Sequence, residues 1–318
     1  MHTHESPRPL STKDLASAAD LTAADLALLL ATAQHIKRDP GAFRHALDTL
    51  SIVLLFEKPS LRTRLTFEVG AHRLGGQAIY YDHAAERIGQ RESIKDYAKN
   101  LERWVHGIVC RTYSHETIEQ LARHSRVPVI NALSDAHHPC QALADVLTLI
   151  ERFGSLAGLP IAYIGDGNNV CTSLMHVACR LGAKMTIITP KGYAPDAAQV
   201  SIAHAFAKDS GGSLRLSTSP ADVGGSRAIY TDTWVSMHQK DDADARERAF
   251  EPYRVDAPLM ARAAADCAFM HCLPAHRGEE VTDEVIDSPA SLVYEQAENR
   301  LHAQNALLIH TVAARAAL

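Results

Sequence analysis

From about residue 50 onward, apolar runs of strand length alternate with amphipathic stretches of helix length, and this alternation constrains the fold more than any other feature of the chain. Strands joined through a helix run parallel, because a parallel pair needs that long a crossover. The first half offers strands at 51–56, 78–82, 107–112 and 127–133, with helices at 64–74, 93–105 and 115–125, and a longer helix from Gln141 to about Phe153. Gly154-Ser155-Leu156-Ala157-Gly158-Leu159-Pro160 reads as a connector. Beyond it the alternation restarts, with strands near 160–165, 184–189, 213–217, 228–232 and 268–273. The expected fold class is α/β: two doubly wound, mainly parallel-sheet domains linked by helices. The last apolar-periodic segment, roughly 290–314, has no strand after it and is free to pack back on either domain.

A length of 318 residues lets each domain bury its own core. With 32 Lys and Arg against 37 Asp and Glu, the net charge of −5 gives no general attraction to nucleic acid or membrane, so a basic cluster has to be read locally. No stretch approaches the roughly 18 uncharged apolar residues of a membrane span, and the first seven residues lack the apolar core of a secretory signal. A cytoplasmic protein is expected. The cysteines at 110, 140, 171, 179, 267 and 272 sit mostly in apolar segments without paired spacing, the pattern of reduced thiols. Neither His2-x-His4 nor His271-Cys272-x3-His276 has the spacing of a zinc site, so no metal and no cofactor are expected.

Ligands of such sheets bind just beyond the carboxyl ends of strands. After strand 51–56 comes Glu57-Lys58-Pro59-Ser60-Leu61-Arg62-Thr63-Arg64. Pro59 ends the strand and Ser60 stands at an N-cap. The next four residues form a first helical turn, where backbone N–H groups and the helix dipole favour an anion. The Ser60 and Thr63 hydroxyls and the Arg62 fork complete a phosphate cradle without a glycine-rich loop. A capped helix with solvated arginines is the plainer alternative. Arg111 closes strand 107–112, where a cation polarises a carbonyl, binds phosphate, or simply makes a surface ion pair. Strand 127–133 leads to His138-Pro139-Cys140-Gln141, a proline-stiffened turn from which an imidazole and a carboxamide face one crevice, or else serve as a capping His or Gln. Neutral histidine there is a donor to a developing oxyanion or a proton carrier.

In the second half, Gly165-Asp166-Gly167-Asn168-Asn169 falls short of a dinucleotide fingerprint: Val170 stands at the third glycine, and the next strand ends without an acidic ribose ligand. The asparagine pair instead offers amides suited to a zwitterion. Strand 228–232 ends in Asp232-Thr233-Trp234-Val235-Ser236-Met237-His238 before a charged loop, and strand 268–273 ends in His271-Cys272-Leu273-Pro274. A carboxylate and a thiol at neighbouring strand ends bracket an amine, or are an Asp cap beside a core cysteine.

Together, Ser60-Leu61-Arg62-Thr63-Arg64, His138-Pro139-Cys140-Gln141, Asp232-Thr233-Trp234-Val235-Ser236-Met237 and His271-Cys272-Leu273-Pro274 resemble the transcarbamoylase family, most closely its ornithine-specific branch, over nearly the whole chain. The resemblance implies a carbamoyl phosphate-binding domain at 1–147, an ornithine-binding domain at 148–296 and a C-terminal helix, 297–318, returning to the first. It places Ser60, the Leu61 backbone, Arg62 and Thr63 on the phosphate, with Arg300 arriving from the C-terminal helix. Thr63, Arg111 and His138 would polarise the carbamoyl carbonyl, and Gln141 would hold its amide. Asn169, Asp232, Ser236 and the Met237 backbone match ornithine-binding positions, and Cys272 with Leu273 lines the δ-amine end. The aspartate-specific branch carries His-Pro-Leu-Pro where this chain has His-Cys-Leu-Pro.

The activity so implied is transfer of the carbamoyl group from carbamoyl phosphate to L-ornithine, giving citrulline in the direction of arginine synthesis. Closure of the domains and of the 236–252 loop would exclude water. Two positions depart from the family pattern: His238 replaces a glycine of the loop, and Arg87 replaces a Gln or His that reaches a neighbouring subunit's site. A homotrimer, or a multiple of it, is expected. The alternatives are a transcarbamoylase for putrescine or an acylated ornithine, a catalytically silent homologue, and an NADP-dependent dehydrogenase.

Overall fold

A computed structural model describes residues 7–234 and 243–316. The chain divides into two compact units, Met1–Leu147 with Asn299–Leu318, and Thr148–Glu298. The division falls inside two helices rather than in loops.

The first unit opens with α1 (Ala23–Arg38), started by a reciprocal capping box in which Thr22 and Asp25 satisfy each other's backbone N–H groups. The strands β1 (Ser51–Phe56), β2 (Gln77–Asp82), β3 (Gly107–Arg111) and β4 (Val129–Leu133) form a parallel sheet in the order β2-β1-β3-β4. Central β1 is apolar along its whole buried length, as a strand covered on both faces must be. Edge strand β2 keeps alternate residues exposed. The crossovers are α2 (Leu61–Arg73), α3 (Ile94–Leu101) and α4 (His115–His124), and α5 (Pro139–Phe153) follows β4. Val53, Leu55, Ile108, Cys110, Ile118, Leu121 and Val129 pack between sheet and helices.

In the second unit, β5 (Pro160–Ile164), α6 (Asn169–Arg180), β6 (Lys184–Ile188), α7 (Ala197–Ser210), β7 (Ser213–Ser217), β8 (Ala228–Thr231), α8 (Ala243–Phe250), α9 (Ala257–Met260), β9 (Ala268–His271) and α10 (Asp283–Ile286) follow in chain order. The five strands are parallel in the order β7-β6-β5-β8-β9. Ile164, Ile188, Ile229, Phe269 and Val281 lie in the core of this unit. Finally α11 (Val293–Leu308) widens into a π-turn at Ile309–Ala313. Its later residues belong to the first unit, where the His310 ring bonds Thr32 Oγ1 at 2.8 Å and its carbonyl accepts the Leu10 N–H at 3.1 Å.

Both sheets reverse their winding once, between β1 and β3 in the first and between β5 and β8 in the second. A crevice opens beyond the strand ends at such a switch point. Glu57 and Arg111 flank one crevice, Gly165 and Asp232 the other.

Gly167 shows why the loop after β5 is glycine-rich without a nucleotide. A Cβ there would meet Pro195 N at 2.3 Å and Ala194 C at 2.5 Å, so the following loop occupies the space that a side chain would need. The Gly167 N–H donates to the Tyr193 carbonyl at 2.9 Å. Gly167→Ala is expected to lower the unfolding free energy by about 1–3 kcal/mol, through overpacking against backbone. Urea denaturation checks it; a variant as stable as the parent would contradict the close approach.

Candidate active site

In the first unit β1 and β3 end side by side, with Phe56 opposite Arg111 and the Glu57 N–H donating to the Arg111 carbonyl at 2.9 Å. The β3–β4 register slips between Cys110 and Arg111, which puts Arg111 at an irregular strand end. Ser60 caps α2 by accepting the Thr63 N–H at 3.3 Å. The Leu61 and Arg62 N–H groups have no carbonyl inside the helix to bond, so with the helix dipole they form an anion-binding terminus. Leu61 contributes backbone alone to that terminus, since its side chain is 72% exposed.

Arg300 of α11 is buried and ties this terminus to α5. It donates to Thr63 Oγ1 at 3.1 Å, Gln141 Oε1 at 2.7 Å and Gln304 Oε1 at 3.0 Å. Gln141 in turn donates to Asp145 at 2.8 Å, and Gln304 accepts from Thr66 at 3.0 Å. His138 is buried in the turn before α5. Burial first, then the charges of Arg300 and Arg111, hold its pKa well below the ordinary histidine value. The ring is therefore neutral at physiological pH, as a hydrogen-bond donor to an oxyanion would be.

Two residues at this crevice, Glu57 and Lys58, were not among those singled out in the sequence. Buried Glu57 accepts the Ile88 N–H at 2.9 Å and the Tyr113 N–H at 2.7 Å, joining β1, the 80s loop and β3. Lys58 is buried with its ammonium 4.5 Å from the Tyr113 ring centroid. Burial, then Arg111, bring its pKa down to about 8. Two charges directly after a buried strand were the available signal. Arg87 is exposed and lies 4.4 Å from the ring of Tyr113 in its own chain.

In the second unit Asp232 follows β8 and is largely buried. Its carboxylate accepts from Cys272 Sγ at 3.1 Å and Asn168 Nδ2 at 2.7 Å. Asn168 also caps α6, accepting the Val170 and Cys171 N–H groups at 3.0 and 3.1 Å. Asn169, the residue picked from the sequence, is the half-buried first residue of that helix. Ser236, Met237 and His238 lie outside the described residues. Arg246 donates to the Trp234 carbonyl at 2.8 Å and pairs with Asp166 at 2.5 Å. Burial pushes Asp166 up to about 6, against the pull of Arg246. Leu273, half-buried, has φ +57° and donates its N–H to His271 Nδ1 at 2.8 Å.

Among the described residues, two groups of side chains bring potential metal-ligand atoms within 4.8 Å of one another: Asp232, His271 and Cys272, and His276, Glu279 and Glu280. In the second, His276 Nδ1 lies 3.3 Å from Glu279 and the His276 N–H donates to Glu280; in the first, hydrogen bonds account for the proximity. His271 commits Nδ1 to Leu273 and Nε2 to Glu280, and Cys272 donates to Asp232.

Residues 13–151 match the family description "Aspartate/ornithine carbamoyltransferase, carbamoyl-P binding domain", and residues 157–311 match its "Asp/Orn binding domain". The chain is 51% identical to a protein named ornithine carbamoyltransferase from Shewanella oneidensis, over 93% of this chain and 98% of that one. It is 46% identical to "Ornithine carbamoyltransferase, anabolic" from Pyrococcus furiosus, over 94% and 96%. A solved structure titled ornithine carbamoyltransferase from Pyrococcus furiosus matches with TM-score 0.91 and 44% identity, covering 96% of this chain and 97% of that one. The chain belongs to the aspartate/ornithine carbamoyltransferase family.

The lowered His138 pKa has a definite sign. An unfolded chain protonates this ring near pH 6.5, whereas the folded one does so only well below that, so its stability contribution is complete above about pH 6.5 and is lost progressively as pH falls from there to the folded value. By NMR the His138 ring is expected to stay neutral as pH falls through the ordinary histidine range, and Arg300→Met to raise its pKa. A wild-type midpoint near 6.5 would contradict the assigned environment.

Proposed function

We propose that this member of the aspartate/ornithine carbamoyltransferase family transfers the carbamoyl group of carbamoyl phosphate to the δ-amine of L-ornithine, giving citrulline and phosphate. The observation that carries the choice of amine is the Asp232–Cys272 pair, 3.1 Å apart. A carboxylate beside a small, soft thiol receives a cationic amino acid, and an aspartate side chain would meet repulsion there.

In this reading Ser60, the Leu61 and Arg62 backbone, Arg62 and Thr63 hold the phosphate, with Arg300 linking Thr63 to Gln141. Gln141 Oε1 has a second lone pair, so it accepts a carbamoyl N–H alongside the Arg300 bond. Arg111, His138 and Thr63 stabilise the oxyanion that forms as the neutral δ-amine attacks the carbonyl carbon. The new C–N bond forms, the C–O bond to phosphate breaks, and the proton shed by the amine leaves with the products. Arg62 and the α2 terminus carry the charge of the departing phosphate. In the second unit Asp232, Asn168, Asn169, Ser236, Met237, Cys272 and Leu273 receive the amino acid.

The finer parts of the reading are a homotrimer or a multiple of it, a cytoplasmic setting, and a role in arginine biosynthesis. Leu61, Leu65 and Val69 on α2 and Ile79 and Tyr81 on edge strand β2 are exposed and apolar beside the phosphate-binding turn, which supports an interface there. All six cysteines are unbridged, which suits a reducing compartment. The Pyrococcus furiosus relative is named anabolic, which favours synthesis.

The test is incubation of the purified protein with carbamoyl phosphate and, separately, ornithine, N-acetylornithine, putrescine, lysine and aspartate, with products read by mass and assembly by light scattering. Citrulline is expected to form at least about a hundredfold faster than any other product, from a trimer or its multiple. The rate should rise with pH above neutrality, because the amine must shed a proton to attack. Another preferred amine would overturn the assignment of Asp232 and Cys272, and a mass near 34.6 kDa would remove the trimer.

A further inference from the structure

We propose that the buried His271–Glu280 pair is a positioning device for the amino-acid half of the site, locking the turn that sets Cys272 against Asp232. The inference rests on the reading of that half as the ornithine site. His271 ends β9 and is fully buried, as is Glu280. Its Nδ1 accepts the Leu273 N–H, so the ring proton resides on Nε2 and is donated to Glu280 Oε1 at 2.9 Å. The same oxygen accepts the His276 N–H at 2.7 Å. One carboxylate therefore holds the 272–275 turn at both ends, through the His271 ring at its entrance and the His276 backbone at its exit.

The turn needs such a hold. Leu273 sits at φ +57°, a left-handed conformation that bulky side chains rarely adopt. It persists when the surroundings over-determine it. The segment carrying Glu280 is itself anchored, with the Val255 N–H on the Glu280 carbonyl at 2.9 Å and Arg254 Nε on the Glu279 carbonyl at 2.8 Å. A buried carboxylate is costly to keep, and among the described residues Glu280 bonds the turn rather than Asp232 or Cys272. Its contribution is to geometry. Released from it, Leu273 would relax toward an ordinary conformation and carry Cys272 away from Asp232.

Length and charge separate this role from a general electrostatic one. Glu280→Gln keeps the reach and one acceptor oxygen, while Glu280→Asp keeps the charge but falls short of His271. For Glu280→Asp the KM for ornithine is expected to rise about tenfold or more, with carbamoyl phosphate affinity within about twofold of the parent. Glu280→Gln is expected to stay within about threefold on both. Alkylation of Cys272 by iodoacetamide, followed by mass, reads the turn without any substrate. It should change at least about fivefold in Glu280→Asp and within about twofold in Glu280→Gln.

A loss confined to Glu280→Gln would overturn the positioning role in favour of charge, and equal losses in the two variants would overturn the claim that reach decides it. An unchanged ornithine KM in Glu280→Asp would overturn it outright, as would a parallel loss of carbamoyl phosphate affinity. If the parent makes no citrulline, the ornithine reading fails, and the alkylation rates alone decide whether Glu280 holds the turn.

Discussion

The candidate site of the first unit depends on one buried guanidinium. Arg300 reaches Thr63 on α2, Gln141 on α5 and Gln304 on its own helix, so residues far apart in sequence are drawn to one point. These three partners are neutral oxygens, which orient the guanidinium. Its charge acts on its surroundings: after burial, it is the largest influence holding His138 neutral. A neutral donor and fixed cations are what a developing oxyanion and a departing phosphate require. The same helix is held to the unit at other points, with Lys37 on Asn299 at 2.9 Å and Thr32 on His310. Residues beyond 299 thus belong to the machinery of the first unit.

The two crevices, one in each unit, solve opposite electrostatic problems. At the ends of β1 and β3 positive charge gathers: Lys58, Arg87 and Arg111, with the Glu57 carboxylate occupied by two backbone N–H groups. Such a crevice fits a dianion. At the ends of β5 and β8 the dominant groups are carboxylates, Asp232 and Asp166, with Arg246 paired to the latter. Asp232 is left facing a thiol and an amide, a setting for a cationic or hydrogen-bonding ligand. In both cases the chain order of the strands, reversing once per sheet, decides where these residues meet.

Much of the architecture was legible in the sequence because parallel strands covered on both faces read as unbroken apolar runs. All nine strands lie within two residues of their expected positions. The larger differences have local causes. β4 begins at Val129 rather than 127, after Pro128, which has no N–H to give a ladder. α3 stops at Leu101 because the chain turns there, and half-buried Glu102 accepts the Arg126 N–H. Helix α1 went unread although its Thr22-x-x-Asp25 start was visible.

The candidate residues fared by type. Those just after strands, such as Asp232, and those at helix starts, such as Ser60, follow from local rules. Of the asparagine pair, Asn168 caps α6 and Asn169 begins it, an assignment that pattern alone does not resolve because it turns on one position. Partners such as Gln304 and Glu280 leave no local signal, since long-range packing brings them to Arg300 and His271.

Binding of carbamoyl phosphate to Arg300→Gln, measured by calorimetry beside the parent, tests the central claim most directly. Removal of the charge and of the Thr63 link is expected to weaken binding about a hundredfold, or about 2.7 kcal/mol, without unfolding the chain. An affinity within about threefold of the parent would contradict the claim that Arg300 assembles the phosphate-binding half-site.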